Sequence, residues 1–142
     1  MSLFTKIIAG DIPSSQVAKG DKWYAFLDIN PRRPGHTLVV PKEEKQRITD
    51  LSPASRAALL DGVAEVERKP TAKFKTTDFF VCVHDGPAAG QEVPHVHFHV
   101  IPREKGDGAK DMLAVFPNSP APGSKDPDFG GLAALSKELV AL

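Results

Sequence analysis

The sequence predicts an α+β fold: an antiparallel sheet of about five strands, one long helix packed on it and a short N-terminal helix. Three observations predict it. The stretch His95-Val96-His97-Phe98-His99-Val100-Ile101 alternates polar and apolar residues, the period of a strand, whose successive side chains point to opposite faces. Other runs of strand length, at 16–19, 22–28, 36–41 and 79–84, are separated by turn signals. Residues 52–69 repeat apolar side chains at helical spacing between start and stop signals. A chain of 142 residues favours one domain with a real core.

In chain order, residues 3–10 read as a short helix with Phe4, Ile7 and Ile8 on one side, ended near Gly10 and Pro13. Residues 16–19 and 22–28 flank Gly20-Asp21, a hairpin turn signal. In the second of these strands Tyr24, Phe26 and Asp28 share a face. Two aromatics followed by a carboxylate could hold a base and a ribose hydroxyl. Phe26 as core and Asp28 as a turn cap is the reading that spacing alone favours. Asn30 to Gly35 is a turn rich in Pro and Arg; Arg32 and Arg33 could steer phosphates, although exposed arginines are more often simply solvated. Residues 36–41 read as a buried strand with His36, Leu38 and Val40 on one face and Thr37 and Val39 on the other.

The long helix has Ser52 as N-cap and Pro53 at its first position. Ala57, Leu60 and Ala64, with Leu59, Val63 and Val66 beside them, supply the apolar stripe, and Pro70 bars further extension. Residues 79–84 and 94–101 are strands on either side of a loop. From Arg103 the chain turns rich in Gly and Pro with little periodicity, until Leu132, Leu135 and Leu139 recur at helical spacing after Gly130-Gly131. The expected organisation is a main domain over 1–103 and an extension over 104–142, irregular and then helical, packed on the same domain or on a dimer partner.

Composition excludes several classes. Lys and Arg total 18 and Asp and Glu total 18, so no basic excess points to nucleic acid or an anionic membrane. No apolar run reaches membrane-spanning length. The N-terminal stretch has only Lys6 as a basic residue and no uninterrupted apolar segment, which argues against a signal peptide. The single Cys82 rules out an internal disulfide and sits in the apolar run Phe79-Phe80-Val81-Cys82-Val83, as a small buried residue would. The expected setting is cytoplasmic.

The chemistry concentrates at one place: four of the five histidines lie between positions 84 and 99. On a strand, His95, His97 and His99 line one face roughly 7 Å apart. On a helix, residues two apart would diverge by about 200° and scatter them. Such a set can bind zinc through neutral imidazoles, or it can supply a nucleophilic imidazole whose other nitrogen a neighbour holds protonated. The preceding loop, His84 to Pro94, holds Gly86 and Gly90, whose backbone N–H groups could approach an anion; Pro87 removes one donor. Gln91 could bond a phosphate oxygen or orient an imidazole. Asp85 and Glu92 are available as further ligands, but their spacing does not demand a metal.

Gly90-Gln91-x-Val93-x-His95-x-His97-x-His99 resembles the signature of the histidine triad superfamily of nucleotide hydrolases and transferases. Phe26 to Lys42 and Phe4 to Pro13 resemble two further blocks of that family, so the similarity covers about residues 3 to 103. The resemblance implies a purine nucleotide, AMP-containing substrate, a homodimer, and no need for nucleic acid, a membrane or a cofactor, with zinc the alternative. It implies catalytic positions at His97, His95, His99 and His36, with His97 attacking the α-phosphorus and its other ring nitrogen donating to the His95 carbonyl. Phosphate-binding positions would be Gln91, Gly90, Glu92 and His84, with the rings of His95 and His99 also touching phosphate oxygens. Nucleoside-binding positions would be Leu3, Phe4, Ile7, Phe26, Asp28 and Ile29. A nucleotide-binding module with little turnover is the remaining reading.

The sequence departs from the pattern twice. His84 stands where phosphoramidase-like members carry Asn, and Glu92 where many members carry a Ser or Thr able to donate to the leaving group. Asp85 to Gln91 and Pro102 to Asp107 resemble the fragile-histidine-triad branch, which cleaves dinucleoside polyphosphates. The first 42 residues are more similar to the small phosphoramidase-type members.

Overall fold

The computed structural model describes residues 1–142, with Leu113 described by its backbone alone. The elements are α1 (Leu3–Ala9), β1 (Gln16–Lys19), β2 (Trp23–Leu27), β3 (Thr37–Pro41), α2 (Pro53–Phe74), β4 (Asp78–Val83), β5 (Phe98–Arg103) and α3 (Phe129–Val140), with short 3-10 turns between some of them. The chain forms two compact units, Met1–Asp107 and Gly108–Leu142. The first holds the sheet, ordered β1-β2-β3-β5-β4 and antiparallel throughout. The second holds α3, capped by Asp128, whose Oδ1 accepts the Gly131 N–H at 3.0 Å. That helix starts at Phe129 and takes in the Gly130-Gly131 pair expected to precede it. No helix among the described residues is long and apolar enough to cross a membrane.

Every residue of β3, the central strand, is buried. Its alternation divides the sheet into two faces. On one face Trp23, Ala25, Val39 and Val100 pack with Leu59, Val63 and Val66 of α2. On the other, Phe26, Leu38 and Val40 pack with Phe4 and Ile7 of α1. Ser2 caps α1 by accepting the Thr5 N–H at 3.1 Å, and Gly10 ends it in the left-handed conformation at φ 84°.

Two local expectations are corrected. Helix α2 runs through Pro70 to Phe74; of its expected stripe Leu59, Val63 and Val66 face the core, joined by Pro70, while Ala57, Leu60 and Ala64 are exposed. Pro70 is buried on the stripe, so packing offsets the lost hydrogen bond. At the next residue the Thr71 hydroxyl donates to the Glu67 carbonyl at 2.8 Å, and Lys75 in the left-handed region closes the helix. The last strand begins at Phe98, not 94. Continuing the β3–β5 register would set Val96 opposite Pro41, which has no N–H to give the ladder. The chain before Phe98 is held instead by the Val96 N–H donating to the Lys45 carbonyl at 2.8 Å.

Candidate active site

The sheet pairs His99 with Leu38 on one side and Cys82 on the other, which places His99 on the α1 face. His36 stands just before β3, and the two rings meet with centroids 5.2 Å apart. Their protonation follows from the partners. The Arg32 N–H donates to His36 Nδ1 at 3.0 Å, so the proton of the neutral ring is on Nε2. That atom lies 2.9 Å from His99 Nδ1 and donates to it, leaving His99 with its own proton on Nε2. Burial pushes the His36 pKa down, outweighing the carboxylate of Asp28. Burial, reinforced by His97, His36 and His84, takes His99 down to about 4. Both rings are therefore neutral at neutral pH.

The turn presenting His36 is fastened from outside. Arg33 Nη1 donates to the Pro102 carbonyl at 2.8 Å and to Asp107 at 3.1 Å, and Arg103 Nε donates to the same carboxylate at 2.7 Å. Arg33 is thus committed to the frame. Asp28 Oδ1 accepts the Asn30 N–H at 2.8 Å, while its Oδ2 lies 3.5 Å from His36 Nε2.

His97 is buried, and its Nδ1 lies 2.8 Å from the His95 carbonyl. A carbonyl only accepts, so Nδ1 carries the proton and Nε2 is a bare lone pair. Burial lowers the His97 pKa, which keeps that lone pair free. The ring of Phe4 stands edge-on to His97 at 5.0 Å, to His95 at 5.7 Å and to Phe26 at 5.6 Å. The His97 and His99 rings are 5.2 Å apart.

His95 occupies a different role from the one expected of its ring. It is fully buried; Nε2 donates to the Pro41 carbonyl at 2.7 Å and Nδ1 accepts from the Ser2 hydroxyl at 2.6 Å. Both nitrogens are committed, so the ring has nothing to offer a phosphate, and His95 reaches the site through its carbonyl.

The loop before the triad is also organised inward. The N–H groups of Ala89, Gly90 and Gln91 donate to carbonyls of Gly86 and Pro87 at 3.0 to 3.2 Å, so they do not form the anion cradle that the glycines suggested. The Gln91 side chain is buried; its oxygen accepts the Gly86 N–H at 3.2 Å and its amide donates to the Gln46 carbonyl at 2.8 Å. One amide hydrogen is left for a phosphate, and the main work of the group is to hold the loop. Asp85 adds a bond from the Ile48 N–H at 3.0 Å. His84 Nδ1 donates to the Ala89 carbonyl at 2.6 Å, and its ring stands edge-on to His99 at 5.5 Å. Gly90 has φ 97°, and a Cβ there would come 3.1 Å from His84 Nδ1, so the loop closes over that ring only with glycine. Glu92 is exposed.

Among the nucleoside positions, Phe4, Ile7 and Phe26 are buried together, Asp28 is half-buried beside His36, and Leu3 and Ile29 are exposed. Among the described residues, Asp28, His36 and His99 could hold a metal ion, their ligand atoms lying within 4.8 Å of one another. The set uses only one of the three histidines at 95, 97 and 99. Two nitrogens on a tetrahedral zinc stand about 3.3 Å apart, whereas His36 Nε2 and His99 Nδ1 are 2.9 Å apart and share a proton. These residues fit a hydrogen-bonded pair better than a zinc site.

Sequence reasoning missed Ser2 and the backbone groups of Pro41 and Arg32. A serine before a helix signals an N-cap, which Ser2 is; nothing in that signal tells that its hydroxyl proton goes to a histidine far along the chain.

The geometry agrees with what the chain is similar to. Residues 9–106 match the HIT domain model. A HIT-like protein of Methanocaldococcus jannaschii is 43% identical over 108 residues, 76% of this chain and 83% of that one. The adenosine 5'-monophosphoramidase of Saccharomyces cerevisiae is 33% identical over 139 residues, 98% of this chain and 80% of that one. A crystal structure of a HIT family protein from Bacillus anthracis superposes with a TM-score of 0.81 at 31% identity, covering 98% of this chain and 94% of that one. A buried His97 with its Nδ1 proton fixed, a His36–His99 pair beside it and a matched domain model over most of the sheet unit place this chain in the HIT domain family.

Proposed function

We propose that the protein is a metal-independent nucleotide hydrolase that cleaves at the α-phosphorus of an adenosine-containing nucleotide through a covalent nucleotidyl-His97 intermediate. The observation that carries this reading is the 2.8 Å bond from His97 Nδ1 to the His95 carbonyl, which leaves Nε2 as a lone pair on a ring 5.2 Å from that of His99. In this mechanism Nε2 forms a bond to phosphorus as the bond to the leaving group breaks. The developing imidazolium stays stabilised by the carbonyl that holds its Nδ1 proton. His99 Nε2–H is the donor to the phosphoryl oxygens as their charge shifts, aligned by the His36 bond on its other nitrogen. Water then displaces His97 and releases the nucleoside monophosphate. The base lies against Phe4, Ile7 and Phe26, with Leu3 and Ile29 as the outer wall and Asp28 on the ribose.

The yeast phosphoramidase, which aligns over nearly the whole chain, supports an adenosine phosphoramidate as substrate. The segments Asp85 to Gln91 and Pro102 to Asp107 favour a dinucleoside polyphosphate as the second reading. The test is turnover of an adenosine phosphoramidate and of diadenosine triphosphate in excess chelator, in wild type and in His97→Asn. Wild type should turn over at least one of them, and His97→Asn should lose about 10⁴-fold or more in kcat while still binding AMP. Full turnover by His97→Asn would sink the nucleophile assignment, and loss of activity on chelation would restore the zinc reading.

A further inference from the structure

The side chains that surround His95 form a chain of hydrogen bonds whose directions are all determined. The Pro41 carbonyl accepts from His95 Nε2, so Nδ1 of the neutral ring must accept. The Ser2 hydroxyl therefore gives its single proton to Nδ1 at 2.6 Å, and its oxygen takes the Thr5 N–H at 3.1 Å. The Thr5 hydroxyl in turn donates to Glu44 Oε1 at 2.7 Å, and the Ser2 backbone N–H donates to the same oxygen. These donors, Ser2 first, hold the Glu44 carboxyl down at about 2, so it is an anion throughout the neutral range. The next residue, Lys45, accepts the Val96 N–H at 2.8 Å. That N–H belongs to the same peptide unit as the His95 carbonyl. The Glu44-Lys45 segment thus holds His95 at its ring, through Ser2, and at its peptide plane.

We propose that Ser2, anchored by Glu44 and Thr5, is a positioning residue for the nucleophile: by donating to His95 Nδ1 it fixes the residue whose carbonyl keeps the proton of His97 on Nδ1. This rests on His97 being the nucleophile. It assigns to the N-terminal turn a part in the chemistry beyond its place beside the nucleoside. Ser2 touches no substrate; it acts at one remove, through His95 and then His97. Without its proton the His95 Nδ1 is a buried acceptor with no partner, which costs free energy and lets the ring and its peptide move. A displaced carbonyl leaves His97 free to populate the tautomer with the proton on Nε2, which cannot attack.

Ser2 also caps α1, so the test separates the two roles. Ser2→Gly keeps most of the capping free energy and removes the hydroxyl, whereas Ser2→Thr keeps both. Imidazole nitrogen NMR on the full chain reads the tautomers directly, with kcat and KM measured on the same samples. In wild type and Ser2→Thr we expect one tautomer at His95 and a slowly exchanging Nδ1 proton at His97. In Ser2→Gly, where the Pro41 carbonyl still holds the Nε2 proton of His95, we expect the signal of an unbonded Nδ1 at His95, faster exchange at His97, and kcat reduced about tenfold, the scale of one hydrogen bond, with little change in KM. An unchanged His97 proton signal with unchanged kcat in Ser2→Gly overturns the proposal, as does a kcat loss that Ser2→Thr fails to restore. If His97→Asn proves active, the nucleophile reading has failed, and the His97 proton signal in Ser2→Gly still decides whether Ser2 positions that ring.

Discussion

The two faces of one sheet are built from the same strands and do different work. Along β3, Val39 faces α2 and meets only apolar partners, while its neighbours Leu38 and Val40 face α1. Along β5, Val100 belongs to the α2 face and His99 to the α1 face. The α2 face is closed by Leu59, Val63, Val66 and Trp23. The α1 face is covered by a helix of only seven residues, and four histidine rings come together at its open end. A long helix seals one face; a short one leaves room for chemistry on the other. The difference teaches that side-chain alternation sorts scaffold from site, and that the partners of each nitrogen then sort the histidines among themselves.

The largest effect should come from the α1 face. His99→Ala removes the donor proposed for the phosphoryl oxygens and should lower kcat/KM about 10² to 10³-fold. Stability should fall by about 1 to 3 kcal/mol, because the buried His36 Nε2 loses its acceptor, without loss of the fold. Steady-state kinetics and urea unfolding on the same protein check both halves. Wild-type turnover, or collapse of the fold, would break the division between the faces.

The opposite result is expected behind the sheet. Gly62 lies on α2 where a Cβ would come 2.7 Å from the Trp23 ring and 2.9 Å from Val39. Neither neighbour has room to give, since Trp23 is 8% exposed and Val39 is fully buried. Overpacking of this kind costs about 1 to 3 kcal/mol, and alanine returns about 1 kcal/mol of helix propensity. Gly62→Ala should therefore lower stability by about 1 kcal/mol and leave kcat and KM unchanged at temperatures where it is folded. A kinetic change without a stability change would show that the two faces are coupled.

These particulars also show what could be read from the residues. The alternation at 95–101 and 36–41 located β5 and β3 to within a few residues, whereas the place of His36 beside the triad came from the family resemblance. Ser52, Pro53 and Gly10 marked helix ends because capping is local chemistry. Pro70 misled because its effect on the helix is local, whereas the burial that holds it there is tertiary. The stripe on α2 was read too wide for a related reason: Ala57 and Ala64 fit either side of a helix, and only Trp23 and Val39 decide which side is inside. His95 and His99 are alike in the sequence. Their difference arises from Pro41, Ser2 and His36, none of which is a sequence neighbour. The glycines of the 86–90 loop signalled a close backbone approach correctly but not its object, which is His84 and Arg47 and not an anion.

The last effect is spread over a pH range and tests the neutral histidines together. Burial lowers the pKa of His36, His95, His97 and His99 below the ordinary value of 6.5, His99 to about 4. In the unfolded chain these groups take up protons first, as pH falls through 6.5. Between there and about 4 the unfolded state therefore binds more protons than the folded state. Stability is then fully present above pH 6.5 and declines as pH falls, by about 1.4 kcal/mol per pH unit for each proton of difference. Glu44 adds a loss in the same direction only at lower pH, between its ordinary 4.5 and about 2, so it does not obscure the upper window. Urea unfolding at pH 7, 6 and 5 should give a falling series in wild type. The same series in His99→Ala should fall less steeply, because one of the proton-excluding rings is gone. A flat wild-type series would mean that the folded rings take up protons over the same range as the unfolded ones. In that case burial would not keep His97 Nε2 free of a proton below pH 6.5, and the α1 face would lose the property that sets it apart from the α2 face.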